Sequence, residues 1–529
     1  MARTVPALFA TLLVLAPALL PAQEPVDWAV VSRIREEGFR HSKVVETVRS
    51  LTDDLGPRLT GSPQMKEANE WTRDKLAEWG LSNAHLESYP FGRGWAFTRA
   101  AVHLLKPQAM PLQALPKGWT PGTAGPVSGA VVHIEALDSE EDFAKVKGKL
   151  AGKIVLLGKE RDLMKEEDEA KVEPRRYSDE GLRELGQYEI PADRTEDFTQ
   201  RGIERVRKRR ALSKFLREEN ALATLEPSDS NWGALRVGRG ADFSADGEPG
   251  VTALVLAAEQ FNRLARLADE GKEVEVEVDV QARYFDDDKN AYNTVAEIPG
   301  TDKKSEVVLL GAHLDSWHTG TGATDNAAGC AVVMEAVRIL KSLGVKPRRT
   351  IRVALWSGEE QGLFGSTAYV GQHYGKWPEP ADESQKDVPA YRRRNGPFKP
   401  GPDHGKLAAY FNLDNGSGKI RGIYAQENAA VVPIFESWLR AVSDLGADTV
   451  TLRNTGSTDH VPFDAAGLPA FQFIQDELDY SAHTHHTALD VYDHLDKEAL
   501  KQASVVMATF AYQAAMRSEP LPRKPLATP

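Results

Sequence analysis

Cysteine is almost absent from this sequence: Cys330 is the only cysteine among its 529 residues. A single cysteine excludes an intrachain disulfide, and with it the small secreted domains that depend on disulfides for stability. Apolar residues make up 41% and charged residues 27% of the chain, which excludes a wholly disordered protein and a coiled coil. A chain of this length is expected to form more than one hydrophobic core.

Basic residues are outnumbered by acidic ones. There are 65 lysines and arginines against 77 aspartates and glutamates, so the net charge is −12. This balance argues against non-specific binding to nucleic acid or anionic lipid, and we expect no nucleic-acid partner. The basic cluster at residues 205–210 departs from the overall balance. For this cluster we favour a solvated helix face over a nucleic-acid contact.

Long apolar runs are also missing, apart from one near the amino terminus. Arg3 precedes the apolar stretch 5–20, which ends near the small residue Ala22. This pattern is typical of a cleaved signal peptide. An uncleaved anchor is disfavoured because the run is shorter than the ~20 apolar residues that a membrane span needs. We expect residues 1–22 to be a signal peptide cut after Ala22, and the mature protein to be exported, periplasmic or secreted, without a membrane span.

Three segments of different character follow this leader. Residues 24–117 open with helical patterns, including one that begins at Ser62. Residues 118–284 contain short strands, a highly charged stretch and the alternating valines of 274–280, which predict a half-buried antiparallel strand. Residues 285–519 alternate between apolar strands and helices, which predicts a largely parallel sheet covered by helices. Within this last segment, 376–406 is predicted to be a long loop.

Titratable side chains follow the predicted strands of the last segment. Functional groups of open α/β sheets collect at the carboxyl ends of the strands. Taken singly, each of these side chains has an ordinary structural explanation, such as a helix cap or a solvent-facing pair. No apolar core explains their joint appearance. The residues are His313, Asp315, Asp325, Glu359, Glu360, Asp414, His483, His485, His486 and Asp490.

This mixture of imidazoles and carboxylates fits two zinc ions that share one carboxylate. Asp325 would bridge the ions, Glu360 and one histidine would hold one of them, and Asp414 and the other histidine would hold the second. Glu359 then lies beside a ligand but binds no metal, which is the position that a general base requires.

Asp315 lies two residues from His313, so in a strand both side chains share a face. We expect its carboxylate to accept a hydrogen bond from the imidazole and to fix the tautomer of the ring. The alternative is that Asp315 faces solvent.

Five segments of the chain resemble, in order, the signature blocks of the M28 family of co-catalytic zinc peptidases. They are "GAHLDSW", "GATDNAAG", "WSGEEQGLFGS", "FNLDNGSG" and "HHTALD", and "LGPRLTGS" near the amino terminus is similar to the opening of that family. The resemblance covers residues 40–105 and 290–517. The segments "GAVVHIEALDSEEDF" and "LAGKIVLLGK" are similar to a protease-associated (PA) domain. A PA domain inserted in the peptidase domain resembles the carboxypeptidase Q and glutamate carboxypeptidase branches.

The resemblance implies an α/β fold of the zinc exopeptidase type, in which a mostly parallel mixed sheet is sandwiched by helices, with an inserted β-rich PA domain. Residues 24–117 and 285–519 would form the peptidase domain, and 118–284 the PA-like insert. The implied function is that of an exported dizinc exopeptidase, either an aminopeptidase or a dipeptidase or carboxypeptidase, that hydrolyses small peptides. The oligomeric state, including a homo-oligomer, stays open.

The resemblance also assigns roles to individual residues. It makes His313, Asp325 and Asp414 ligands of one zinc ion, makes Asp325, Glu360 and a carboxyl-terminal histidine ligands of the other, and makes Glu359 the general base. The family pattern of histidine, three residues and aspartate selects His486 through Asp490. His485 and His483 are the alternatives.

One departure from the family concerns the oxyanion. Some aminopeptidases of the family place a tyrosine shortly before a Ser-Asp-His segment, whereas residues 455–460 of this chain contain none. The oxyanion would then be stabilised by metal or by another donor such as His460. Two alternative functions stay open, a glutaminyl cyclase with one zinc ion and a non-catalytic PA-domain binding protein, although no ligand is lost here.

Overall fold

The computed structural model describes residues 24–164, 175–189, 195–381, 385–386, 388–393 and 396–525. The predicted signal peptide at 1–22 lies outside the described residues. Among the described residues, no helix combines the length and apolar character that a membrane span requires.

The helices, numbered in chain order, alternate with strands in the last segment as the sequence predicts. They are α1 (Trp28–Arg40), α2 (Val44–Arg49), α3 (Pro63–Glu78), α4 (Glu140–Val146), α5 (Asp179–Gly186), α6 (Thr195–Glu218), α7 (Ala258–Asp269), α8 (Ala328–Ser342), α9 (Phe364–His373), α10 (Val432–Leu439), α11 (His460–Ala465) and α12 (Lys497–Met516). Helix α3 begins where predicted, because the Ser62 hydroxyl accepts a hydrogen bond from the Met65 amide.

The strands belong mainly to two sheets. They are β1 (Ser82–Pro90), β2 (Gly94–Lys106), β3 (Met110–Leu112), β4 (Ala114–Pro116), β5 (Val127–Ile134), β6 (Ile154–Leu157), β7 (Ala223–Pro227), β8 (Thr252–Leu256), β9 (Glu275–Phe285), β10 (Asn290–Ile298), β11 (Lys303–His313), β12 (Arg349–Trp356), β13 (Gly375–Lys376), β14 (Lys399–Pro400), β15 (Leu407–Asn412), β16 (Ile420–Tyr424), β17 (Thr449–Thr451) and β18 (Ala470–Gln475).

The first sheet has the order β1-β10-β12-β11-β15-β18-β16-β17. Its central strands, β12, β11, β15 and β18, are parallel, while β1 and β10 pair antiparallel at one edge. Helices cover both faces: Val308 and Leu310 of β11 pack into the core that contains α8 and α12. Val307 and Leu309, which alternate with them, pack into the core that contains α9 and α11. The predicted α/β class with a helix-sandwiched mixed sheet is therefore confirmed.

The second sheet has the order β3-β2-β9-β5-β6-β7-β8-β4. Strand β9 carries the predicted alternation, with Val276, Val278 and Val280 buried, and it pairs antiparallel with β2 and β5. The sheet begins at Gly94, so strand pairing places 94–116 in the second sheet. The resemblance implies instead that these residues belong to the first part of the peptidase domain. The difference arises because β2 looks like any amphipathic strand until its partner, almost 180 residues later, is known.

The predicted loop at 376–406 is closed at its base by a short pair of strands, β13 and β14. Between them, the described residues include a single turn of 3₁₀ helix at Ala390–Arg392.

Candidate active site

The predicted site residues come together at one edge of the first sheet. His313 ends β11, Glu359 and Glu360 follow β12, and Asp414 follows β15. These three strands are parallel neighbours, so their carboxyl ends lie side by side. Asp325 precedes α8, in a segment whose backbone is not helical at Asp325 and Asn326.

His313 lies between two of the predicted carboxylate ligands. Its Nε2 atom is 3.1 Å from Asp325 Oδ1 and 3.2 Å from Asp414 Oδ1. All three side chains are buried. A nitrogen and two carboxylate oxygens at such distances can ligate one divalent cation.

His486 makes the equivalent contacts on the other side of Asp325. Its Nε2 atom is 3.2 Å from Asp325 Oδ2 and 2.9 Å from Glu360 Oε2. The two oxygens of Asp325 therefore face different imidazoles, which is the arrangement that a bridging carboxylate needs.

His485 is the second histidine near Asp325. Its Nε2 atom is 4.0 Å from Asp325 Oδ2, and its ring stacks on that of His486 with centroids 3.7 Å apart. No ion pair joins His485 to Glu360 among the described residues. His483, the remaining alternative, belongs to none of the ligand groups present among those residues.

The chemistry of these donors fits metal ions. Three overlapping groups have their ligand atoms within 4.8 Å of one another: Asp325 with His485 and His486, His313 with Asp325 and Asp414, and His313 with Glu359 and Glu360. Several carboxylates crowded in a buried site repel one another unless cations compensate them. In addition, Glu360 Oε1 is buried and has no hydrogen-bond partner among the described residues.

The electrostatics of the site show the same crowding. Burial and the nearby Asp325 carboxylate raise the pKa of Glu360 to about 7. Burial lowers the pKa of the His486 imidazole, but the Glu360 and Asp325 carboxylates outweigh it and raise that pKa to about 10. The site thus attracts positive charge strongly, as a site for divalent cations should.

Glu359 differs from its neighbour in its contacts. Whereas Glu360 pairs with His486, no ion pair of the Glu359 carboxylate occurs among the described residues. Burial raises the pKa of Glu359 well above its ordinary value. A positive charge on His313 lowers this pKa, whereas the carboxylates of Asp414 and Glu360 raise it further. A raised pKa makes a carboxylate a stronger base, which suits a group that must accept a proton and then return it.

Asp315 supports the site differently from the prediction. The Nδ1 atom of His313 hydrogen-bonds to the main-chain carbonyl of Asp315 at 2.9 Å, whereas the Asp315 carboxylate is 3.7 Å away. That carboxylate accepts hydrogen bonds from the Thr60 hydroxyl at 2.9 Å and from the amides of Glu359 and Glu360 at 3.3 Å. Asp315 therefore holds the turn that carries the two glutamates, and its carbonyl orients His313. It is fully buried rather than solvent-facing.

Asp490 holds Asp325. Its carboxylate accepts hydrogen bonds from the Thr324 amide at 2.6 Å, the Thr324 hydroxyl at 2.7 Å and the Asp325 amide at 3.1 Å. These contacts fix the backbone of the bridging candidate.

His460 lies at the start of α11 and is buried. Its Nε2 atom is 3.0 Å from the Thr455 carbonyl, and its Nδ1 atom has no hydrogen-bond partner among the described residues. Neither ring nitrogen hydrogen-bonds to a ligand candidate in the described part of the chain, so its oxyanion role stays a prediction.

Arg58 is a contributor to the site that sequence reasoning missed. Its buried guanidinium donates to five main-chain carbonyls, at 2.7–3.0 Å. They belong to Leu51, Gly56, Leu314, Thr321 and Gly322. Arg58 therefore fastens both ends of the 314–322 loop, which joins His313 to Asp325. The segment "LGPRLTGS" was a signal for it, but three of the five acceptors lie more than 250 residues away.

Backbone geometry also shapes the site. Gly358, just before the glutamates, has φ +71°, and a Cβ atom there would lie 2.6 Å from the Tyr89 hydroxyl oxygen. His486 has φ +61°, a left-handed conformation that is uncommon for a side chain of this size. Such strain persists where the surrounding structure imposes it, often at functional sites.

Comparisons with known proteins agree with this geometry. Residues 293–511 match the family model of peptidase family M28. Mouse (Mus musculus) carboxypeptidase Q is 26% identical over 486 residues, which are 92% of this chain and 88% of that protein. The crystal structure of a peptidase M28 precursor from Shewanella amazonensis SB2B matches with TM-score 0.63 and 26% identity, and covers 94% of this chain and 99% of that one.

A structure of BSAP, a zinc aminopeptidase from Bacillus subtilis, shares the fold with TM-score 0.54 at 19% identity, and covers 90% of this chain and 95% of that one. The family match contains the strand-end residues described above and most of the first sheet, although not its edge strand β1. These matches support a peptidase of family M28 that is related to carboxypeptidase Q.

Proposed function

We propose that this protein is an exported exopeptidase that hydrolyses small peptides with two zinc ions. The observation that carries the proposal is the position of Asp325, whose two oxygens face His313 on one side and His486 on the other. Relatives named as a carboxypeptidase and as a zinc aminopeptidase support both the exopeptidase class and the choice of metal.

The proposed ligand sets follow from the contacts. His313, Asp325 and Asp414 would hold one zinc ion, and Asp325, Glu360 and His486 would hold the other. When bound, zinc supplies Lewis-acid chemistry, which polarises a carbonyl group and lowers the pKa of water. We prefer His486 to His485 because it contacts two of the carboxylates at 3.2 Å or less.

Glu359 is the proposed general base. It takes a proton from the attacking water as the water oxygen bonds to the peptide carbonyl carbon. When the carbon–nitrogen bond breaks, Glu359 returns that proton to the leaving amine. Asp315 positions Glu359 by accepting the hydrogen bond of its amide, and Asp490 positions Asp325 in the same way.

Two further parts of the proposal concern regions outside the site. The leader at residues 1–22 supports export. The second sheet, which includes the segments similar to a PA domain, supports an inserted domain that begins near Gly94 and ends with β9.

A substrate panel combined with metal analysis tests the proposal. We expect the purified protein to contain close to two zinc ions per chain, to cleave free dipeptides, aminoacyl amides or N-blocked peptides, and to lose this activity when a chelator removes the metal. The pattern across the three substrate classes separates an aminopeptidase from a dipeptidase and a carboxypeptidase. Activity that survives complete metal removal contradicts the proposal, as does cyclisation of amino-terminal glutamine with a single zinc ion.

A further inference from the structure

A large cleft joins the proposed catalytic centre to the second sheet's helices. Its volume is about 1210 Å³, and its walls include Glu360 and Trp317 on one side and the face of α6 on the other. Trp317 also contacts His486, with ring centroids 6.0 Å apart. The cleft therefore offers a peptide bound at Glu360 a path towards α6.

The cleft is cationic, although the protein as a whole is acidic. Among its lining residues, nine carry a positive charge and four a negative charge, whereas the chain has a net charge of −12. A cleft with low-dielectric walls and charges of one sign concentrates ligands of the opposite sign.

Two arginines of α6 are the least compensated of these charges. Arg205 and Arg209 are four residues apart, so they share one face of the helix. Both line the large cleft and also a smaller neighbouring cavity of about 470 Å³. Within the part of the chain that the structure describes, neither forms an ion pair or a hydrogen bond. The basic cluster that the sequence analysis interpreted as a solvated face thus has two members on a cleft wall.

The carboxylates around Arg209 already have other partners. Asp242 pairs with Arg210 at 2.8 Å, and Glu226 pairs with Lys117 at 2.6 Å. Burial lowers the pKa of the Arg209 guanidinium, and the Asp242 and Glu226 carboxylates oppose that shift without contacting it. A mostly buried guanidinium that stays charged and has no partner among the described residues is well suited to bind an anion from outside.

We propose that Arg205 and Arg209 bind a carboxylate of the peptide substrate, so that the enzyme prefers peptides with a negative charge on the part held against α6. This inference rests on the proposed peptidase function. Arginine is suited to the task because its planar guanidinium binds a carboxylate through two parallel hydrogen bonds. The carboxylate can be an acidic side chain or the free carboxyl terminus, and the experiment separates the two.

The test compares kcat/KM for four matched peptides, with glutamate or glutamine in one position and a free or amidated carboxyl terminus. We expect the wild-type enzyme to favour one carboxylate over its neutral partner by roughly tenfold or more. Arg209→Met keeps the apolar stem of the side chain and removes the charge. It should abolish this preference by raising KM for the charged peptide more than KM for the neutral one. Arg205→Met, at an exposed position that tolerates substitution, should reduce the preference as well.

Lys208→Met is the matched control. Lys208 lies on the same helix and lines only the smaller cavity, so its loss removes one charge without changing the wall of the cleft. Equal use of charged and neutral peptides by the wild-type enzyme overturns the inference, and so does an equal loss of preference in Lys208→Met. If the wild-type enzyme cleaves no peptide, the proposed function fails. In that case the affinity of the same variants for the charged and neutral peptides is measured directly. This measurement tests the arginine site independently of catalysis.

Discussion

Glu359 and Glu360 are adjacent in sequence, yet their surroundings suit them to different tasks. Glu360 contacts His486, which anchors it among the ligand candidates. The carboxyl group of Glu359 lies near His313 and is buried enough to have a raised pKa. From the sequence, Glu359 was distinguished from Glu360 only because two zinc ions left one glutamate without a ligand role. In the structure, the two glutamates differ in their contacts.

Replacing Glu359 by glutamine keeps its size and removes its basicity. We expect zinc content and the unfolding midpoint to stay close to wild type, and kcat to fall by ~10²–10⁴ because the proton moves in the transition state. Glu360→Gln is the matched control, and it should lose zinc because a ligand loses its charge. Zinc analysis and steady-state kinetics of both variants measure this. Zinc loss in Glu359→Gln with retention in Glu360→Gln shows that the roles are reversed.

The two adjacent histidines provide a second residue-scale prediction. His486→Ala should reduce zinc content and activity together, because it removes a nitrogen 3.2 Å from Asp325 and 2.9 Å from Glu360. His485→Ala should affect zinc binding less, since its nitrogen is 4.0 Å from Asp325. Zinc titration of the two metal-depleted variants makes the comparison. A weaker zinc affinity in His485→Ala than in His486→Ala would mean that His485, and not His486, is the zinc ligand.

At the scale of elements, a helix or strand was predictable where its hydrogen-bonding partners are local and its pattern of apolar residues is strong. The second half of the central strand β11 and most of helix α8 are buried. His313 ends β11 and Asp325 shortly precedes α8. Strand β1 was missed because it is a half-exposed edge strand without clear alternation. The role of Arg58 was also missed, because its acceptors are carbonyl groups and no sequence pattern marks a carbonyl acceptor.

A further prediction concerns the anchoring of the 314–322 loop by Arg58. Arg58→Lys keeps the charge but cannot reach the separated carbonyls that the guanidinium binds. We expect a loss of roughly 3 kcal/mol or more in the free energy of unfolding, because buried carbonyls lose their donors. Zinc retention should fall as well, since the 314–322 loop is released.

Urea denaturation measures the loss of stability in Arg58→Lys. The control is Arg49→Lys, at an exposed ion pair in the same region, which should change stability little. An unchanged unfolding midpoint in Arg58→Lys excludes this anchoring role.

At the scale of the whole molecule, the chain combines two sheets with separate cores. The first core contains α8, α12 and the site-bearing strands, and the second contains the sheet of β9. An aromatic cluster with Trp95, Trp119 and Phe243 at its centre packs against Trp317 where the two sheets meet. The proposed catalytic residues come from the first sheet and part of the cationic cleft wall comes from α6, so the proposed activity and its proposed substrate preference draw on both parts.

Cys330 allows metal binding and folding to be followed together. It is fully buried in α8, its thiol donates to the His313 carbonyl at 3.0 Å, and burial raises its pKa to about 12. We expect the folded protein to resist thiol reagents, because the thiolate is the reactive form and this thiol is neither ionised nor accessible.

Removal of the metal should accelerate the labelling of Cys330. Ions bound only by the native state stabilise it, so chelation should lower the melting temperature and increase the fraction of molecules in which the start of α8 is open. Because the sequence contains a single cysteine, the label reports on this one position. Labelling rates with and without chelator, in the absence of denaturant, measure the effect, and zinc added back should restore protection. Equal rates in both conditions mean that the ions do not stabilise this core.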